Sequence, residues 1–186
     1  MNRLTPEAFH EAEKLPLVIV LDNVRSQHNI GAVFRTADAM CLERVVLCGI
    51  CCCPPNQEIH KTALGAEQTV AWQYYADTLE AVRQLQAEGY TCYAIEQAHN
   101  SLTLEQVAES LSGEAGHDRI AVVLGHEVFG VQQEVIDLCG QCIEIPQYGT
   151  KHSMNVSVTA GIVMYRLSGA LRAVKGYDLS TVSGEK

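Results

Sequence analysis

The chain has 186 residues, a formal net charge of −9, and 47% hydrophobic against 19% charged residues. That length supports one domain with a sizeable core, and that composition predicts a globular rather than a disordered chain. The acidic balance argues against bulk electrostatic capture of nucleic acid, which needs a basic stripe; only a local patch from Arg25, Arg35, Arg44, His60, Lys61, Lys151 and His152 is available.

The opening MNRLTPEAFHEAEKLP is polar and has no apolar core of a signal peptide. No apolar run approaches the roughly 20 residues that a membrane span requires, so the expectation is a cytoplasmic protein with no membrane segment. Leu17 to Leu21 is a continuous apolar run of the kind a parallel strand buried on both faces requires. The loop DNVRSQHN follows, with Asn29 as the expected N-cap of a helix reaching Cys41. Its apolar face carries Ile30, Val33, Phe34, Ala37, Met40 and Cys41. Arg35 falls on the opposite face, and Gly31, one turn earlier, would leave space beside the guanidinium. A solvated surface arginine is the ordinary alternative.

Arg44 to Ile50 predicts a second strand, and the two prolines of CCCPP enforce irregular chain after it. A short helix is expected near Lys61 to Ala66, then a strand over Val70 to Tyr75. Asp77 begins the next helix, through Leu79, Val82 and Leu85, and Gly89 closes it. Tyr90 to Ile95 is a strand; HNSLTLEQVAES is a loop and short helix; SGEAGHD looks the most flexible stretch. Ile120 to Leu124 is a strong strand, followed by GHEVFGV and a helix from Gln132 to Leu138. Gly125 and Gly130 have P-loop spacing, but Val131-Gln132 replaces the required Lys-Ser/Thr, which excludes a nucleotide triphosphate loop. A G-x-S-x-G elbow is also absent.

The most informative stretch runs from Cys142 to Leu167. Ile143 to Ile145 reads as the end of a strand, and Pro146 to Ser153 as a polar loop. From Asn155, Val156, Ala160, Val163 and Leu167 recur at helical spacing. Strand, polar loop and helix start can place backbone N–H groups around a ligand; an ordinary βα turn has the same pattern. The alternation of strands and helices predicts a single-domain α/β fold around a mostly parallel sheet flanked by helices, with short terminal segments at 1–16 and 173–186.

Two of the eight cysteines' spacings form C-x-x-C pairs, Cys48/Cys51 and Cys139/Cys142. Such pairs can hold zinc, or they can be small buried hydrophobes of a reduced protein. Both pairs lie in β-like runs with no knuckle-like turn beside them, so no metal is assigned.

Three segments together resemble the SpoU (TrmH-type) branch of the SPOUT RNA methyltransferases. They are Asn29-Ile-Gly-Ala-Val-Phe-Arg35-Thr-Ala37, Leu124-Gly125-His-Glu127-Val-Phe-Gly130-Val, and Ile145-Pro146-Gln-Tyr-Gly149-Thr-Lys-His-Ser153-Met154-Asn155-Val-Ser157. The resemblance spans Leu17 to Leu171. It implies methyl transfer from S-adenosylmethionine to a ribose 2′-hydroxyl of tRNA or rRNA, a homodimer, and a C-terminal trefoil knot that pattern alone would not suggest. It also implies a cofactor pocket lined by Leu124, Gly125, Gly130, Ile145, Pro146, Ser153 and Met154. Arg35 becomes the catalytic arginine, with Asn29 and Glu127 fixing it and Ser153 and Asn155 shaping the acceptor side. Two rivals carry different functions: a catalytically inactive RNA-binding or assembly protein of this fold, and a zinc-stabilised binding module.

Overall fold

The computed structural model describes residues 4–111 and 118–176. Seven strands, all parallel, form one sheet: β1 (Leu15–Asp22), β2 (Leu42–Cys48), β3 (Ala71–Tyr75), β4 (Thr91–Ile95), β5 (Leu102–Thr103), β6 (Ile120–Leu124) and β7 (Cys142–Glu144). Their order is β3-β2-β1-β6-β4-β7-β5. The eight helices described are α1 (Pro6–Glu11), α2 (Gln27–Met40), α3 (Gln57–Ala63), α4 (Ala66–Thr69), α5 (Thr78–Ala87), α6 (Leu104–Leu111), α7 (Gln133–Cys139) and α8 (Val156–Val174).

The continuous apolar run of β1 is buried at every position. Successive side chains point to opposite faces of a strand, so this one run feeds two cores. Leu17, Ile19 and Leu21 pack with α2, α3, α6 and α8 on one face. Val18 and Val20 pack with α5 and α7 on the other. Dry layers on both faces are what a parallel sheet needs. The expected architecture is therefore present, and strand β6 and helices α5 and α7 lie where the periodicity placed them.

Several boundaries differ for identifiable reasons. Ser26, not Asn29, caps α2: its side chain accepts from Asn29 N, and the helix starts three residues earlier than expected. Helix α3 begins at Gln57 because the Asn56 side chain accepts from Glu58 N and Ile59 N. The two-residue edge strand β5 is too short to carry a period and was not expected from the sequence. The segment before Leu17 contributes α1, whose Phe9 enters the core. The SGEAGHD stretch lies outside the described residues except for Asp118. No described helix is long and apolar enough to cross a membrane.

Gly31 does not make room for Arg35. A Cβ there would lie 2.1 Å from Thr62 Oγ1 and 2.3 Å from the Ile59 carbonyl oxygen. The missing side chain lets α2 and α3 touch, and Thr62 Oγ1 donates to the His28 carbonyl across the contact at 2.9 Å. Gly31→Ala should destabilise the fold by about 1–3 kcal/mol through overpacking, despite alanine's better helix propensity. Urea unfolding of the variant beside the wild type measures it.

The sheet order sends the chain out to edge strand β5, then back to insert β6 between β1 and β4 and β7 between β4 and β5. Helix α8 then packs on β1, α2 and α6. This return through the middle of the sheet is compatible with the implied knot. It also gathers three distant loops at the C-terminal ends of β4, β6 and β7, where ligands bind in open parallel sheets.

Candidate functional site

Those loops enclose a cavity of about 360 Å³, within the size range of small-molecule sites. Its walls come from Ile95 to Gln97 after β4, from the loop of residues 125–130 after β6, and from β7 with the loop that follows it. The sequence signals for the second and third walls were the two glycines and the polar loop broken by Pro146 and Gly149.

The loop after β6 is built by close backbone approach. His126 and Gly130 exchange N–H···O bonds of 3.0 and 2.9 Å. A Cβ on Gly125 would fall 2.1–2.2 Å from the backbone of Gly130 and Val131. Only glycine at Gly125 lets this loop close. Gly130 adopts φ +69° and passes under the Glu96 carboxylate, so it too excludes a side chain. His126 Nδ1 accepts from Val128 N at 3.0 Å. Val128 and Phe129 at the loop tip are 76% and 84% exposed.

Three carboxylates hold this loop. Asp22, fully buried at the end of β1, accepts from Gln132 N at 3.3 Å, Gln132 Nε2 at 3.1 Å and Thr78 Oγ1 at 2.6 Å. Glu96 accepts from Val131 N at 2.8 Å. Glu127 accepts from Arg25 N at 3.1 Å, Ser26 N at 3.0 Å and Asn29 Nδ2 at 3.3 Å. Burial pushes the Glu127 carboxyl up, but these donors outweigh it and hold it below the ordinary carboxylate range. Neither Asp22 nor Glu96 was singled out in the sequence. Both stand at strand ends just before turn residues, a signal shared with many ordinary turns.

Asn29, Glu127 and Asn155 do meet. Asn155 Nδ2 donates to Asn29 Oδ1 at 3.2 Å. Its own Oδ1 accepts from Ser157 N and Val158 N, which caps α8. The network joins the first turn of α2, the β6–α7 loop and the start of α8. It does not hold Arg35: the Glu127 carboxylate is directed at backbone N–H groups instead.

The other predicted residues divide. Leu124, Gly125, Glu127, Gly130, Ile145, Ser153 and Met154 line the cavity. Pro146 is exposed and is not among the lining residues; nor are Asn29, Arg35 and Asn155. Arg35 is exposed and has no hydrogen-bond or ion-pair partner among the described residues.

The local basic patch is broken by carboxylates. Arg44 pairs with Glu88 and Glu43, Lys61 with Glu58, and His60 with Glu67. Arg25, Arg35, Lys151 and His152 remain exposed.

The cysteine pairs do flank turns, contrary to their expected place inside strands. Cys51 follows the turn after β2, and Gly140 separates Cys139 at the end of α7 from Cys142 on β7. Burial pushes the thiols of Cys48 and Cys139 up to about 12 and that of Cys51 to about 11. Among the described residues no group of three or more His, Cys, Asp or Glu side chains could hold a metal ion.

Residues 16–165 match the model of the SpoU rRNA Methylase family. A 23S rRNA (guanosine-2'-O-)-methyltransferase RlmB of Neisseria meningitidis serogroup B is 31% identical over 155 residues, covering 80% of this chain and 56% of that protein. The protein of the same name from Vibrio vulnificus is 30% identical over 158 residues, covering 81% and 58%. This chain thus spans less than two thirds of the length of these relatives. Among solved structures, the A. aeolicus TrmH/SpoU tRNA modifying enzyme superposes with a TM-score of 0.77 at 23% identity, over 92% of this chain and 84% of that one. An AdoMet-bound rRNA methyltransferase from Sinorhizobium meliloti gives 0.72 at 23% identity, over 89% and 60%. At these identities the structural likeness establishes the fold.

Proposed function

Because this chain belongs to the SpoU rRNA methylase family, we propose that it transfers a methyl group from S-adenosylmethionine to a ribose 2′-hydroxyl of tRNA or rRNA. The observation that carries this reading is the cavity at the ends of β4, β6 and β7, where residues from the second and third motifs converge. Its lining suits the donor. Leu124, Ile143, Ile145, Met154 and Val156 offer apolar contact for an adenosyl group. Glu96, Glu127 and Glu144 supply negative charge, and among the described residues no Lys or Arg lines the wall. That balance favours a cationic ligand.

When bound, S-adenosylmethionine would supply an electrophilic methyl on a sulfonium. The chain's own task is then to bring a hydroxyl oxygen into line with it, and orientation of this kind lowers a barrier substantially. Leu124, Gly125, Ile145, Ser153 and Met154 would hold the donor, while Ser153 and Asn155 shape the acceptor side. The Arg35 guanidinium offers only N–H donors and no lone pair to act as a base. It would therefore act on the hydroxyl or the neighbouring phosphate by a charge-assisted contact, making the oxygen easier to deprotonate. The phosphate or solvent takes the proton.

Arg35 does not reach the cavity of its own chain, so this role requires a second subunit to present it. A homodimer is part of the proposal. Val158, Ile162 and Tyr165 form an exposed apolar stripe on α8 at i, i+4 and i+7, and Phe129 and Tyr148 are exposed on two cavity loops. Faces of this kind mark interfaces.

Incubation with labelled S-adenosylmethionine and bulk tRNA or rRNA should incorporate label, recovered by nucleoside mass spectrometry as one 2′-O-methyl nucleoside. RNA binding without incorporation would favour the inactive assembly protein instead.

A further inference from the structure

We propose that Glu96 is a binding residue for the positively charged part of the methyl donor, and so helps the site select that donor over uncharged adenosine compounds. The inference rests on the functional reading above and concerns one residue that the three family motifs do not contain.

Glu96 follows the last residue of β4 and lines the cavity. One oxygen, Oε1, has a structural task. It accepts the Val131 N–H at 2.8 Å and sits over Gly130, where an added Cβ would lie only 2.1 Å away. The carboxylate is thereby fixed by backbone rather than by a cation. No Lys, Arg or His pairs with it among the described residues, whereas Glu58, Glu67 and Glu88 all have such partners. Two further carboxylates, Glu127 and Glu144, share the wall, and among the described residues its only basic side chains are His126 and His152.

Charge without a counterion, held on a rigid anchor in a concave site, is arranged for a cation from outside. Glu127 serves this less well, because three N–H donors already occupy its oxygens. S-adenosylmethionine carries a sulfonium and an ammonium; 5′-methylthioadenosine has the same adenine and ribose without either charge.

Glu96→Gln separates the two tasks of this residue. The amide oxygen still accepts from Val131 N, so the loop stays closed, while the charge is gone. Calorimetric titration of the whole chain should show S-adenosylmethionine binding roughly tenfold weaker than in wild type, the size expected for a lost charge-assisted contact. Affinity for 5′-methylthioadenosine should be unchanged. Equal loss for both ligands would assign Glu96 a loop-holding role only, and unchanged affinity for both would remove it from binding; either result overturns the inference alone. If the wild-type protein binds neither ligand, the donor reading itself fails and this inference falls with it. A melting temperature close to wild type confirms that the Gln variant is folded.

Discussion

Arg35→Ala should lower methyl transfer by at least about a hundredfold, the scale seen when one transition-state donor is removed, and leave donor affinity nearly unchanged. Two features combine to give that split. The side chain is exposed and has no partner among the described residues, and alanine is the best helix former, so its removal should not disturb α2. It also lies outside the cavity lining, so the donor does not depend on it within one chain. Arg35→Lys should recover only part of the activity, since an ammonium keeps the charge but not the planar fork that grips a phosphate or hydroxyl. Single-turnover methylation, with calorimetry on the same samples, separates the two quantities. Normal turnover in the alanine variant would remove Arg35 from the mechanism. Mixing Arg35→Ala chains with chains whose donor pocket is disabled adds a sharper test of the dimer. If the arginine acts across subunits, each mixed dimer has one complete site of its two, and activity returns.

Much of the fold could be read directly because its period is simple. The run from Leu17 to Leu21 is apolar at every position, and only a strand covered on both faces satisfies it. Helices α5, α7 and α8 carry caps and apolar spacing that local rules recognise. What escaped was set by contacts distant in sequence. Ser26 and Asn29 are both good caps; Ser26 takes the cap because the Asn29 side chain is engaged by Glu127 and Asn155, about a hundred residues away. Gly31 reads as open space on a helical wheel, yet α3 occupies that space. Strand β5 exists because β7 offers it an edge. Within the site, the lining residues of the second and third motifs were legible from the resemblance. The anchors Asp22 and Glu96 were not, since a carboxylate at a strand end looks the same whether it meets water or a loop's N–H group.

Glu127 is where those distant contacts have their largest consequence. Its carboxylate binds the backbone at the start of α2, its neighbours wall the cavity, and through Asn29 it is joined to the cap of α8. Replacing it with alanine releases three donors at once and frees all three segments to shift. A misplacement near 1 Å costs about a hundredfold in rate, so Glu127→Ala should lower kcat/KM by roughly that factor, with donor affinity falling as well. That joint loss distinguishes it from Arg35→Ala. The pH dependence is a second signature. Because the folded carboxyl is held below its ordinary value, its stabilising contribution is complete above the unfolded range near about pH 4.3. It disappears as pH falls through the lower folded value. Glu127→Gln is permanently neutral and never has that contribution. Melting temperatures of wild type and Glu127→Gln should therefore differ by a constant amount at neutral pH and converge in acid, as protonation makes the wild-type side chain resemble the amide. A gap that persists unchanged at pH 3 would mean that shape, not charge, holds the loop to α2.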